Sequence, residues 1–125
     1  MIKVLLACRD SALFLDMIDA FQSRSVRIDP MQSGSSALTM MADGSYHLLI
    51  TDEHLPDMTG KALIEKTITL NPFINCVAVS TLSHKRFHDE YEGLGVLMQL
   101  PPTPDTADVQ KLLDHLDKIH LLLKK

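Results

Sequence analysis

His47-Leu-Leu-Ile-Thr-Asp52-Glu-His-Leu-Pro56-Asp-Met-Thr-Gly60 decides how this chain is read. Leu48 to Thr51 form an unbroken apolar or β-branched run that ends on a lone acid, Asp52. Such a run, too short for a helix and with no alternation, predicts a strand buried on both faces. A turn built on Pro56 and Gly60 follows, and then a helical pattern begins. In an open parallel sheet, ligands sit at the C-terminal ends of the strands. Asp52 is therefore expected at a sheet edge where chemistry can occur.

Apolar runs and helical patterns alternate on both sides of this stretch. Strands are expected at Ile2–Ala7, Val26–Asp29, Leu48–Thr51, Cys76–Ser80 and Val96–Leu100, with Pro30 limiting the second. Asp10 or Ser11 can cap a first helix, with Leu13, Phe14, Met17, Ile18 and Phe21 on its inner face. Ser33-Gly-Ser-Ser opens a short helix over Ala37 to Ala42, stopped by Asp43-Gly44. Further helices are expected over Lys61 to Leu70, closed by Asn71-Pro72, and over His84 to Tyr91, ended by Glu92-Gly93. Pro101-Pro102-Thr103-Pro104 is a stiff turn. The last helix carries Val109, Leu112, Leu113, Leu116, Ile119, His120 and Leu123 on one stripe.

Five strands, each followed by a helix, predict an α/β fold. It is a doubly wound, five-stranded parallel sheet with helices on both faces, in the order 2-1-3-4-5. The switch point falls between strands one and three, which sets Cys8-Arg9-Asp10 beside Asp52. One domain over residues 1–125 fits a chain of 125 residues with 46% hydrophobic content.

A net charge of −4 gives no footprint for nucleic acid, and the Lys124-Lys125 tail is too short to supply one. No segment approaches the about 20 apolar residues of a membrane span. The N-terminal apolar stretch is shorter than the roughly 7–15 residues of an export signal core, and Arg9 and Asp10 follow it at once. A cytoplasmic location, with Cys8 and Cys76 as free buried thiols, is expected.

These residues resemble the receiver domains (CheY-like) of response regulators in bacterial two-component signalling. Asp52, Leu55, Pro56, Asp57, Met58 and Gly60 match the segment around the phosphoacceptor, and the resemblance extends over nearly the whole chain. It implies a (βα)5 flavodoxin-like fold and phosphorelay signal transduction rather than an enzyme in its own right. Asp52 takes the phosphoacceptor position. Ser80, or Thr81 one step on, takes the place of the switch hydroxyl. His54 stands where a side chain borders the phosphoryl site.

The resemblance also implies an acidic pair that holds Mg²⁺ after strand one, and a Lys-Pro after strand five. Here Cys8 and Arg9 replace the acids, with Asp10 one place late. Pro101-Pro102 replaces Lys-Pro, and the closest downstream lysine is Lys111. Mg²⁺ takes hard oxygen ligands, and a thiol and a guanidinium provide none. Arg9 can instead pair with Asp52, and Asp10 can serve metal or cap. The aromatic switch of strand five is replaced by Met98, and Pro101-Pro102 can be cis. His84 and His88, one helical turn apart, read as a solvated face rather than a zinc pair, for want of a third ligand.

Two functions remain open. One is a phosphorylated switch partnered by a sensor histidine kinase and a downstream signalling protein. The other is a pseudo-receiver, a phosphorylation-independent module that binds a partner or a second copy through its fourth helix, fifth strand and fifth helix, around Lys85, Phe87, Tyr91, Leu94 and Val96. A flavin or enzymatic site needs a Gly-rich, hydroxyl-rich phosphate loop after strand one. Cys8-Arg-Asp-Ser11 has no Gly.

Overall fold

The computed structural model describes residues 2–43 and 45–123, with side chains through Ile119. Gly44, His120, Leu123 and the Lys124-Lys125 tail, all named above, lie outside what is described, apart from the helical backbone at 120 and 123. The elements are β1 (Lys3–Ala7), α1 (Leu15–Gln22), β2 (Arg27–Met31), α2 (Gly34–Met41), β3 (Leu48–Thr51), α3 (Gly60–Leu70), β4 (Asn75–Val79), α4 (His84–Glu90), β5 (Met98–Leu100) and α5 (Thr106–Leu123). All strand pairs are parallel, in the order β2-β1-β3-β4-β5. The doubly wound sheet expected from the sequence is therefore present.

Consecutive strand residues face opposite sides of a sheet. An unbroken apolar run thus supplies two cores at once. Val4, Leu6, Leu48, Ile50, Val77 and Val79 pack on the side of α1 and α5, against Phe14, Phe21 and Leu112. Leu5, Ala7, Leu49, Cys76 and Ala78 pack on the other side, with Leu63, Ile64 and Phe87.

Four expectations change. A 3-10 turn, Ser11–Phe14, precedes α1 and is capped by Asp10. Its three residues per turn shift the angular phase, so Leu13 is 54% exposed rather than inward. β2 runs through Pro30 to Met31 instead of stopping there. It is the edge strand, where a missing N–H is tolerated. The described residues contain no cis peptide bond, so the prolines at 101 and 102 are trans. β5 is short, because Val96 and Leu97 belong to the approach from a loop with Gly93 and Gly95 at positive φ.

Polar residues hold the helix starts. Ser33, Thr59 and Ser83 cap α2, α3 and α4, accepting from the N–H of Ser36, Ala62 and Arg86. Asp105 and Asp108 each accept the other's backbone N–H at 3.0 Å, closing the start of α5.

Candidate functional site

The C-terminal margin of the sheet is where β1, β3 and β4 release their chains side by side. Ala7 pairs with Thr51, and Thr51 with Ala78. Asp52 N–H donates to the Ala7 carbonyl at 2.8 Å, so the residue leaves β3 still tied to β1. Its side chain is half-buried, and Oδ1 accepts from the N–H of Glu53 at 2.8 Å.

Cys8 follows β1 and is fully buried. Burial first, then the charges of Asp52 and Asp10, push its thiol up to about 11. It is therefore a neutral thiol at physiological pH, placed where the electrostatics of Asp52 reach it. Arg9 behaves differently from expectation. Its side chain is exposed, and among the described residues it makes no ion pair with Asp52. Asp10 is exposed too, and its Oδ1 accepts the Ala12 N–H at 3.0 Å. Of the two roles open to it, it plays the cap.

Ser80 directly follows β4 and is buried, but its hydroxyl does not turn to Asp52. It donates to Glu53 Oε1 at 3.5 Å. Thr81 turns the same way, with its N–H 3.3 Å and its Oγ1 3.1 Å from Glu53 Oε2. Strand parity explains this. Leu49, Cys76 and Ala78 face the α2–α4 side, and continuing that alternation puts Glu53 and Ser80 together there. Asp52 follows Ile50 towards the side of Cys8. The expectation that Arg9 pairs with Asp52 is thus corrected.

Glu53 and a second residue, Gln99 of β5, were not singled out by sequence reasoning. Gln99 Nε2 donates to the carbonyls of Leu82 at 2.8 Å and Ser80 at 3.4 Å. The available signals were an acid directly after Asp52 and a lone polar residue inside an apolar strand.

His54 is exposed and hydrogen-bonds neither Asp52 nor Ser80. Its backbone bridges Thr59 across the β3–α3 loop. Pro101 and Pro102 are exposed after β5, the connection to α5 carries no lysine, and Lys111 is exposed on α5 itself. Leu55, Asp57 and Met58 serve the architecture. Leu55 is buried, and Asp57 accepts the N–H groups of Gly34 and Ser35, both at 2.9 Å, tying the loop to the start of α2.

Those two bonds hold the Asp57 carboxyl below its ordinary value of 3.8. The stability it contributes is complete above that value and is lost as pH falls through the lower folded one. Asp57→Ala is expected to lower the thermal midpoint by a constant gap from about pH 5 to 7, closing below about pH 4. Midpoints measured across that range test this, and a gap that persists unchanged to the acid end would contradict it.

Mg²⁺ is the ion the resemblance implies, and the donors present do not fit it. The Cys8 thiol stays protonated, Arg9 is a cation, Asp10 caps a turn, and Glu53 is engaged by Ser80 and Thr81. Among the described residues no group of three His, Cys, Asp or Glu side chains is placed to hold a metal.

The face of α4, β5 and α5 carries an open groove of about 550 Å³, lined by His84, His88, Gly95, Met98 and His115 among others. Phe87 and Tyr91, expected on this face, do line the groove, although both are largely buried, with rings stacked at 4.5 Å. Lys85 remains exposed, while Leu94 and Val96 are half-buried.

No family model matches the chain, and no curated protein matches it in sequence. Solved structures do match its fold. The chemotaxis response regulator CheY4 of Vibrio cholerae superposes with a TM-score of 0.81 at 18% identity, over 91% of this chain and 97% of that one. A response regulator receiver domain protein from Clostridium thermocellum gives 0.83 at 14% identity, over 98% and 99%. A streptococcal protein described within a family of redox sensors evolved from two-component response regulators gives 0.84 at 16%, over 99% of this chain and 55% of that one. The chain therefore has the flavodoxin-like fold of response regulator receiver domains.

Proposed function

We propose that the chain serves two-component signal transduction as a receiver-fold protein-interaction module, and that phosphoryl transfer to Asp52 is not its switch. Asp52 keeps the phosphoacceptor position. The observation that carries the reading is the corner around it, where a buried neutral thiol and an outward Arg9 stand in place of metal-binding acids.

Phosphoryl transfer needs positioning and positive charge over the transferred oxygens. Here an anion, Glu53, directly follows Asp52, Arg9 is exposed, Asp10 caps a turn, and the connection from β5 to α5 carries no lysine. An incoming phosphodonor meets repulsion where it needs compensation. In this reading the protein is not an enzyme. Its partners are a sensor histidine kinase or a downstream signalling protein, or a second copy docked on the α4–β5–α5 face. Neither nucleic acid nor membrane is a partner: the net charge is −4, and no helix among the described residues is long and apolar enough to cross a membrane. The cytoplasm is the compartment that suits two free buried cysteines.

Phosphorelay through Asp52 is the alternative, favoured by that residue's place at the end of β3. Acetyl phosphate with Mg²⁺, read by intact mass, separates the two. The expected result is no phosphoryl adduct. An adduct that disappears in Asp52→Ala would establish the phosphorelay instead.

A further inference from the structure

We propose that Ser80 and Thr81 form an oxyanion cradle which this chain fills with its own side chain, the carboxylate of Glu53. The proposal rests on the receiver reading above, because it concerns the residues that reading sets beside the phosphoacceptor position.

Three donors converge on one carboxylate. Ser80 Oγ lies 3.5 Å from Oε1, Thr81 Oγ1 lies 3.4 Å from Oε1 and 3.1 Å from Oε2, and Thr81 N–H lies 3.3 Å from Oε2. Two hydroxyls and a backbone amide directed at a common point are the donors a small oxyanion needs, held here at 3.1–3.5 Å, longer than a tight charge-assisted bond. The Ser80 oxygen also accepts the Leu82 N–H at 3.0 Å, which leaves its proton for Glu53. On the other side Gln99 donates to the Ser80 and Leu82 carbonyls. The loop between β4 and α4 is thus held through its donors by β3 and through its acceptors by β5.

An internal ligand has a thermodynamic consequence. Glu53 is tethered only 27 and 28 residues from its partners, and the fold fixes it beside them. A free anion must compete with an effective concentration on the order of millimolar or above. Phosphate or a small carboxylate in solution therefore finds the cradle filled. Removing Glu53 opens it, and the ligand class that then enters is a small tetrahedral or planar oxyanion.

The test uses the full chain, isotopically labelled, with inorganic phosphate as the probe and no metal present. The Thr81 and Leu82 amides are followed by NMR, with the Gly34 and Ser35 amides, tied to Asp57, as a control for folding. Wild type is expected to show no saturating response to phosphate. Glu53→Ala is expected to show one at Thr81, at least about tenfold tighter than any in wild type. If the alanine variant fails to fold, Glu53→Leu, which keeps comparable bulk and removes both acceptor oxygens, is read in its place, with the same direction. A saturating response of equal strength in wild type, or no response in the folded variant, overturns the cradle. Phosphorylation of Asp52 in the mass experiment would refute the proposed function and leave this measurement as it stands.

Discussion

Gly60→Ala is expected to destabilise the fold by about 3 kcal/mol, at the upper end of what overpacking costs. Gly60 opens α3, and its backbone is not among those at positive φ, so conformational freedom is not what selects glycine. Space is. A Cβ there would overlap the carbonyl oxygen of Asp52 and stand 3.2 Å from Thr51 Cγ2. Its N–H donates to the Glu53 carbonyl at 3.0 Å, which pins the helix start against the strand end. The closest atoms in the way are the Asp52 carbonyl, backbone directly after the central strand and tied to β1, which cannot step aside. Gly34 is the contrast. A Cβ there meets only the Met58 side chain, a flexible thioether that can turn away. Urea unfolding of Gly60→Ala and Gly34→Ala should therefore give a large loss for the first and a clearly smaller one for the second. Equal losses would show that the close approach at Asp52 is not what matters. Because Gly60 leans on Asp52 and Glu53, the same change should also disturb the Thr81 amide.

Truncating Phe21 to alanine is expected to cost about 3–5 kcal/mol, since a buried aromatic leaves a cavity that its neighbours fill only in part. Phe21 is fully buried near the end of α1, in the core shared with α5. Its carbonyl also accepts the N–H groups of Arg24 at 3.0 Å and Val26 at 3.1 Å, which close the helix and start the chain towards β2. The backbone bonds survive the substitution, so the loss measures packing. Denaturant unfolding should show a lower midpoint with an unchanged slope. A loss below about 1 kcal/mol would mean that the core between α1 and α5 collapses to refill the space.

The parts of the fold that were legible in the sequence share one property: each is local. Leu48 to Thr51 announced a strand buried on both faces, and it is one. Ser33 announced a helix start, and its hydroxyl accepts the Ser36 N–H. Asp52 was placed at the sheet margin from the end of its own strand. Errors arose where a local pattern met a non-local fact. Leu13 was assigned inward on a 3.6-residue period, but a 3-10 turn occupies its place. Phe87 and Tyr91 were expected on the face of the fourth helix, and they do line its groove, but largely buried and stacked against the core on the α2–α4 side.

The candidate site divides in the same way. Cys8, Asp52 and Ser80 could be named from strand ends, and the structure brings all three to one margin. Which group each side chain serves could not be named. Glu53 is one residue from Asp52 in the chain, but the pleat sends it to the other side of the sheet, towards Ser80 and Thr81. Arg9 is one residue from Cys8 and faces solvent. Asp57, matched in the motif, proves to be a clamp on α2 rather than a participant beside Asp52.

By itself the sequence determined the five βα units, the order of the sheet and the position of Asp52. The units and the place of Asp52 follow from hydrophobic period, which acts along neighbouring stretches of chain, while the order is that of a known doubly wound arrangement, implied by the resemblance to receiver domains. Only the tertiary structure decided that the hydroxyls of Ser80 and Thr81, just after β4, belong to Glu53 and that Arg9 leaves Asp52 alone. Hydrogen bonds reach only about 3 Å, so partners from different strands are chosen by register and by the face each side chain takes, and neither quantity exists until the sheet has formed.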